Sequence, residues 1–401
     1  MPVVVIAPYS VADFPEGGGH FWVYMQYVLG FRQLGCEVYW LEALHNMVSA
    51  GQEAALAPFR ARMRRYGLEG KCILYATPSN EPMPEAPTEY LDMSRDEAEA
   101  VFEKADLLLN FHYAISPGLL ARFRRTALVD IDPGLLQFWI SRGQLRVPRH
   151  DCYFTTGETV GRPDSKIPDC GLPWVPIRPP VSLERWPYVF DPRCESFTTV
   201  SNWDADDWIV DEHEVYENTK RVAFLEFADL PGLTNQPVEL ALYLRHERDF
   251  AEQRDLESRG WRIRHTREAA GTPETYQRYI QQSRGEFSCA KRSCREFQNA
   301  WISDRTLCYL ASGKPVVVQD TGPSAFLPSG EGMFRFNTAL EAAQAFDAIN
   351  GDYESHCRAA RQLAETHFDA KQVVATILNR TRAGGEVFND RLEPRSIRAP
   401  R

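Results

Sequence analysis

One stretch of the sequence, residues 303–322 (SDRTLCYLASGKPVVVQDTG), predicts a short helix, a buried strand and a glycine-containing loop in succession. The predicted helix carries apolar residues at the spacing of one buried face, namely Leu307, Leu310 and Ala311. Gly313 suits the left-handed residue that ends a helix. The valines at 316–318 are typical of a strand covered on both faces, as in a parallel sheet. Because open parallel sheets bind ligands at strand carboxyl ends, this unit predicts an α/β fold with a site near 320–324.

Strand–helix units also recur in the first half of the chain. A strand at 3–7 is followed by a glycine loop at 17–19, a helix that ends at Gly35, and a second strand at 36–42. Further buried strands are predicted by the apolar runs at 106–111 and 127–131. Helices between such strands indicate a parallel sheet with helices on its faces.

Proline density divides the chain into two halves. Residues 157–191 hold seven prolines, which predicts an extended linker between domains. Later strands are predicted at 197–203, 238–244, 261–265 and 286–288. We therefore predict three regions: a first Rossmann-like domain at 1–185, a second at 195–370, and a helix with a tail at 371–401. The tail beyond about Gly384, rich in Arg and Pro, is predicted to lack structure.

The overall composition excludes several classes of protein. The 401 residues are 44% apolar, which suits two ordinary cores, and carry a net charge of −10. That charge disfavours a protein that binds nucleic acid through phosphate attraction. No apolar run approaches a membrane span, and the first residues lack the basic region of a signal peptide. With nine scattered cysteines, these features predict a cytoplasmic protein with reduced thiols.

Several motifs together resemble one known group. SRGEFS at 283–288, Lys291, WISDRTLCYLASGKPVVVQDTG at 301–322 and the GEG turn at 330–332 are similar to bacterial glycosyltransferases of the family 1/4-like group. GGGHFWVYMQYVLGFRQLGCEVYWLE at 17–42 also resembles that group. The resemblance implies the GT-B fold, in which two Rossmann-like domains face each other across a cleft. It further implies that the second domain holds a nucleotide sugar and that the acceptor enters from the first.

The resemblance also implies a set of residues that bind the nucleotide sugar. The predicted set is Gly18, Gly19, Ser201, Asn202, Lys291, Asp304, Arg305, Thr321 and Gly322. Lys291 and Arg305 are the predicted diphosphate partners, since cations stabilise the charge that builds on the leaving group. Cys308 stands where many relatives carry a ribose-binding glutamate. Asp304, one turn earlier, either takes the ribose role or caps the helix.

Three polar residues are the candidate catalytic groups. His20 follows the glycine loop, and a histidine there is the general base in one branch of the superfamily that the chain resembles. The chemistry needs such a base, because an alcohol is a poor nucleophile until its proton is accepted. His112 and Asp132 lie just beyond two predicted strand ends, where both side chains can face the cleft. The alternative for each is an ordinary polar residue of a loop or turn.

The sequence therefore predicts a glycosyltransferase that moves a sugar from a nucleoside-diphosphate sugar, often a UDP sugar, to a small-molecule or glycan hydroxyl. No H-E-x-x-H or paired Cys/His spacing is present, and the D-x-D spacing of Asp130-Ile131-Asp132 closes a predicted strand. The resemblance therefore implies a metal-independent enzyme without a cofactor. Inversion and retention at the anomeric carbon both stay open. The alternatives are a sugar-nucleotide epimerase of the same fold and a non-catalytic nucleotide-binding module.

Overall fold

A seven-stranded parallel sheet forms the first domain, in a computed structural model that describes residues 1–45, 52–77, 85–87, 89–204, 208–210 and 215–387. Its strands lie in the order β3-β2-β1-β4-β5-β6-β7. The strands are β1 Val3–Ala7, β2 Glu37–Leu44, β3 Cys72–Ala76, β4 Leu107–Asn110, β5 Thr126–Asp130, β6 Cys152–Thr155 and β7 Trp174–Pro176. The helices are α1 Gly18–Gln33, α2 Gln52–Arg65, α3 Arg95–Lys104, α4 Pro117–Leu120 and α5 Leu135–Ser141.

A six-stranded parallel sheet forms the second domain, in the order β12-β11-β8-β13-β14-β15, beside a two-stranded ribbon of β9 and β10. The strands are β8 Phe197–Asn202, β9 Trp208–Val210, β10 Val215–Glu217, β11 Val238–Tyr243, β12 Arg262–His265, β13 Gly285–Ser288, β14 Val316–Gln319 and β15 Met333–Phe336. The helices are α6 Lys220–Leu225, α7 Glu247–Ser258, α8 Thr266–Ala270, α9 Pro273–Gln281, α10 Arg292–Glu296, α11 Asp304–Ala311, α12 Ala339–Gly351, α13 Tyr353–His367 and α14 Ala370–Val387. Both sheets have the strand order of a Rossmann fold.

The carboxyl ends of the two sheets face each other. Asp132, just after β5, forms an ion pair with Lys291, just after β13. The side chain of Asn299, in the loop before α11, donates to the carbonyl oxygen of Pro133 at 2.8 Å. Because these contacts join strand ends of different domains, the prediction of two Rossmann-like domains facing each other across a cleft is confirmed.

Helix α1 packs directly against the second domain. A Cβ on Gly18 would lie 2.4 Å from the carbonyl oxygen of Ala270, and one on Gly19 would lie 2.6 Å from the ring of Tyr276. The indole nitrogen of Trp22 donates to the carbonyl oxygen of Pro273 at 3.0 Å. Gly18 and Gly19, predicted to bind the nucleotide sugar, here let a helix of one domain approach the backbone of the other.

Several predicted boundaries need correction. The segment 157–191, predicted as an extended linker, contains β7, whose residues pair in parallel with β6. Strand β15 follows the predicted turn and pairs with β14. Both strands are short and lie at sheet edges or next to prolines, so their periodicity is weak. Helix α14 runs to Val387, and the rest of the predicted tail lies outside the described residues.

The unit at 303–322 folds largely as its pattern predicts. Leu307, Leu310 and Ala311 are fully buried, and Gly313 has a positive φ of 71° where α11 ends. Over the ranges that the structure covers, none of the helices has the length and apolar character that a membrane crossing requires.

Candidate active site

An ion pair between Lys291 and Asp132 joins the two domains across the cleft. The Lys291 ammonium lies 2.5 Å from Oδ2 of Asp132, and the two side chains are 16% and 32% exposed. Lys291 directly precedes α10, while Asp132 follows the buried end of β5. The structure thus brings together a predicted diphosphate partner and a predicted catalytic residue, at a place that retains contact with solvent.

Arg305 is held by the second domain's own sheet. Its guanidinium donates to Oε1 of Glu286 at 2.7 Å, to the Val200 carbonyl oxygen at 2.8 Å and to Oγ of Ser288 at 2.5 Å. Burial lowers the pKa of Arg305, but the charge and hydrogen bond of Glu286, together with Tyr276 and Tyr309, outweigh burial and raise the pKa above its usual value. Arg305 therefore carries a fixed positive charge, and three of its N–H groups already donate to protein acceptors.

Lys220, the first residue of α6, is a half-buried cation that the sequence analysis missed. Its ammonium lies 5.3 Å from the ring centroid of Trp301. Among the described residues it has no hydrogen bond or ion pair with a protein group. Burial and, less strongly, the charges of Arg305 and Lys291 lower its pKa to about 7, while the charges of Asp304 and Glu286 raise it. The sequence signal available for Lys220 is its position directly after Thr219, at the start of an apolar helix.

Asp304 is the first residue of α11, and it does not cap the helix. The residue at the cap position is Ser303, whose side chain makes no capping bond. Within the described residues, no hydrogen bond or ion pair holds the Asp304 carboxylate. Of the two roles predicted for Asp304, capping is therefore wrong and the ribose contact stays a prediction.

Cys308 faces α1 and not the cleft. The Cys308 thiol, 2% exposed, lies 3.8 Å from the side-chain nitrogen of Gln26, which donates to it. The side-chain oxygen of Gln26 accepts from the main-chain nitrogen of Ser182 at 2.8 Å. Because α1 covers position 308, a side chain there contacts the first domain.

His20 lies near Asp304 on the other side of the cleft. Its Nε2 is 2.7 Å from the carbonyl oxygen of Tyr9, and its ring meets the Tyr24 ring edge-on at 5.3 Å. Burial lowers the pKa of His20, while the Tyr9 carbonyl and the Asp304 charge raise it by less. The imidazole is therefore neutral near pH 7, with Nε2 donating to the backbone and Nδ1 as its remaining acceptor.

His112 packs in a ring cluster at the first domain's strand ends. Its ring centroid lies 5.3 Å from that of Tyr9 and 5.6 Å from that of His45. The side chain of Asn110 accepts from the His112 main-chain nitrogen at 2.9 Å and so fixes the loop. Burial, and to a lesser degree the nearby His45, lowers the pKa of His112 to about 4.

The other predicted nucleotide-sugar contacts lie in loops with their own bonding. Thr321 donates its hydroxyl to the Trp301 carbonyl oxygen at 2.8 Å, and the Gly322 main-chain nitrogen donates to Oδ1 of Asp320 at 2.7 Å. Gly322 has a φ of 111°, which suits only glycine. Ser201 donates to the Asn202 carbonyl oxygen at 2.8 Å, at the end of β8. The Gly322 N–H and the two hydroxyls are thus already bonded to the protein.

Comparison with known proteins finds similarity in structure but not in sequence. No protein-family model matches the chain, and no curated protein matches it. An alpha-glucosyltransferase solved with UDP and a 13-mer DNA is 11% identical with a TM-score of 0.59, over 95% of this chain and 100% of that one.

Two further solved structures have the same architecture. AviGT4, a glycosyltransferase involved in avilamycin A biosynthesis, is 14% identical with a TM-score of 0.53, over 95% of this chain and 97% of that one. Anabaena Alr3699/HepE, solved with UDP and glucose, is 10% identical with a TM-score of 0.57, over 96% of this chain and 100% of that one. The sheet topology, the facing strand ends and these near-complete superpositions together show that the chain has the GT-B fold of glycosyltransferases.

Proposed function

We propose that the protein is a glycosyltransferase that moves a sugar from a nucleoside-diphosphate sugar to a hydroxyl-bearing acceptor. The observation that carries this proposal is Lys220, a half-buried ammonium that no described protein group pairs. A desolvated cation is costly unless an anion joins it, so such a position suits an anionic ligand. Lys291 and Arg305 add positive charge around it.

The cations around Lys220 fit a diphosphate. Glu286 pairs with Arg305, and Asp132 pairs with Lys291, whereas Lys220 has no ion-pair partner among the described residues although the Asp304 charge acts on it. A diphosphate brings more than one negative charge and competes with Asp132 for the Lys291 ammonium. Fixed cations in a partly dry cleft stabilise the leaving diphosphate as the glycosidic bond breaks, and this supports a metal-independent transfer.

Asp304 fits the ribose of such a donor. A carboxylate accepts hydrogen bonds from both ribose hydroxyls, whereas it repels a diphosphate. Asp304 lies at the start of α11, close enough to Lys220 to raise the pKa of that lysine. The proposal places the ribose at Asp304 and the diphosphate at Lys220. The donor is proposed to be a UDP sugar, since the alpha-glucosyltransferase and HepE neighbours were solved with UDP.

The acceptor is proposed to be a small molecule or glycan. One neighbour was solved with DNA, but the net charge of −10 on this chain disfavours phosphate-driven binding of nucleic acid. A cytoplasmic location is proposed as well, supported by nine cysteines that are all unbridged.

A panel of UDP-glucose, UDP-N-acetylglucosamine, GDP-mannose and dTDP-glucose tests the proposal. At least one donor at a large excess over its Kd is expected to raise the melting temperature by roughly 5 °C. The same donor is expected to be hydrolysed slowly to free sugar and nucleoside diphosphate. Conversion into an isomeric nucleotide sugar would favour the epimerase alternative. Melting temperatures unchanged by all four donors would contradict the proposal.

A further inference from the structure

A fully buried lysine lies against a cysteine at the amino end of β14. The side-chain nitrogen of Lys314 lies 3.8 Å from Sγ of Cys194, and the lysine is 0% exposed. Over the ranges that the structure describes, no carboxylate forms an ion pair with Lys314. A buried ammonium without an anion is costly, so this position favours the neutral amine.

The main chain fixes the positions of both residues. In the turn after α11, the main-chain nitrogen of Lys314 donates to the carbonyl oxygen of Tyr309 at 2.9 Å. Just before β8, the carbonyl oxygen of Cys194 accepts from the guanidinium of Arg284 at 3.2 Å. The lysine and the cysteine are 120 positions apart in the sequence. The fold therefore holds an amine and a thiol side by side that no local motif would pair.

Burial makes the Lys314 nitrogen available as a nucleophile. Burial lowers the pKa of Lys314 and outweighs three nearby groups that raise this pKa, namely Cys194, Cys357 and Asp191. More of the neutral amine is therefore present near pH 7 than at an exposed lysine. The lone pair of a neutral amine can attack an electrophilic sulfur, whereas an ammonium group has no lone pair to do so.

Cys194 is the thiol of this cluster that solvent reaches. Cys194 is partly exposed, whereas Cys357, the other thiol whose charge acts on Lys314, is buried. Burial also raises the pKa of the Cys357 thiol to about 11. Oxidants react with a thiolate and need access to its sulfur. A peroxide in solution therefore reaches the sulfur of Cys194 more readily than that of Cys357.

We propose that Cys194 and Lys314 form a covalent cross-link when a peroxide oxidises Cys194. The sulfur attacks one oxygen of hydrogen peroxide, the O–O bond breaks, and a sulfenic acid and a water molecule form. The Lys314 nitrogen then attacks this sulfur, and the S–O bond breaks. The departing hydroxyl takes one proton from the nitrogen and leaves as a second water molecule. One thiol and one amine thus become a sulfur–nitrogen bond, and one hydrogen peroxide becomes two waters.

The cross-link is reversible and joins two distant parts of the second domain. Two molecules of a free thiol reduce the sulfur–nitrogen bond to the original thiol and amine, and they leave as a disulfide. The joined positions enclose the chain from β8 to the end of α11. Such a link restricts the unfolded states of the enclosed chain and so stabilises the folded domain. This response to oxidation needs neither donor nor acceptor.

Peptide mapping of the full-length protein by mass spectrometry tests the cross-link. The protein is treated with hydrogen peroxide, its remaining thiols are alkylated, and it is digested. The expected product is a pair of peptides joined at Cys194 and Lys314, lighter than the two separate peptides by two hydrogen atoms. Treatment with dithiothreitol before alkylation is expected to remove this product and to restore both unlinked peptides.

Three variants identify the groups that react. Cys194→Ser and Lys314→Arg are each expected to abolish the linked pair. Cys170→Ser, at another partly exposed cysteine, is the matched control and is expected to keep it. The wild-type map is decisive even where a variant fails to fold. Oxidised wild type that carries a disulfide between Cys194 and Cys357, or an oxidised Cys194 beside an unmodified Lys314, would overturn the proposal.

Discussion

Lys220→Ala is expected to weaken the binding of UDP by about 30- to 150-fold at pH 7. The variant removes an ammonium that lies half-buried over Trp301 and has no protein anion among the described residues. A charge-assisted contact to a diphosphate in a partly dry cleft is worth about 2–3 kcal/mol, and this energy sets the expected factor. Isothermal titration of UDP into both proteins measures the difference directly.

Lys220→Arg is the matched control, because arginine keeps the positive charge but does not lose its proton between pH 7 and pH 8. Burial lowers the pKa of Lys220 to about 7, so at pH 8 most wild-type molecules carry a neutral amine. UDP favours the charged form, and its binding should take up roughly 0.9 proton at pH 8. UDP affinity should therefore fall as the pH rises above 7 in wild type, and proton uptake should vanish in Lys220→Arg. Equal affinity in wild type and Lys220→Ala would remove Lys220 from the site.

Arg305→Met is expected to lower the free energy of unfolding by about 3–5 kcal/mol. Glu286, whose side chain is 0% exposed, would lose its ion-pair partner and stay charged inside the second domain. The bonds from Arg305 to Val200 and Ser288 would be lost as well. Urea unfolding, followed by the fluorescence of the tryptophans, provides the measurement.

The double variant Arg305→Met with Glu286→Gln tests the cause. With the carboxylate neutralised, about half or more of the lost stability should return, because the main cost is an uncompensated buried charge. A single variant that loses less than about 1 kcal/mol would show that the pair does not support the sheet.

The sequence predicted those elements whose local signals agree. Residues 303–322 folded largely as predicted because helix period, left-handed glycine and valine run all lie within one short segment. β7 was missed because its three residues lie among prolines, and its pairing with β6 is visible only in the sheet. Short edge strands have little periodicity of their own.

Site residues were harder to predict, because most of their roles depend on contacts between domains. Lys291 and Asp132 were both predicted, but their ion pair joins residues 159 positions apart. Gly18 was predicted to contact the ligand, and its missing side chain also allows α1 to approach Ala270, which only the structure shows. Lys220 carries no motif of its own and becomes visible only through its burial and its lack of a described partner.

A crystal structure with bound UDP tests the central claim most directly. The diphosphate is expected to lie within about 4 Å of the ammonium groups of Lys220 and Lys291, with the ribose hydroxyls at Asp304. An open polar cavity of about 460 Å³ in the second domain is lined in part by Arg295, Arg335 and Gly322. A diphosphate bound in that cavity, with Lys220 and Lys291 untouched, would contradict this account of the site.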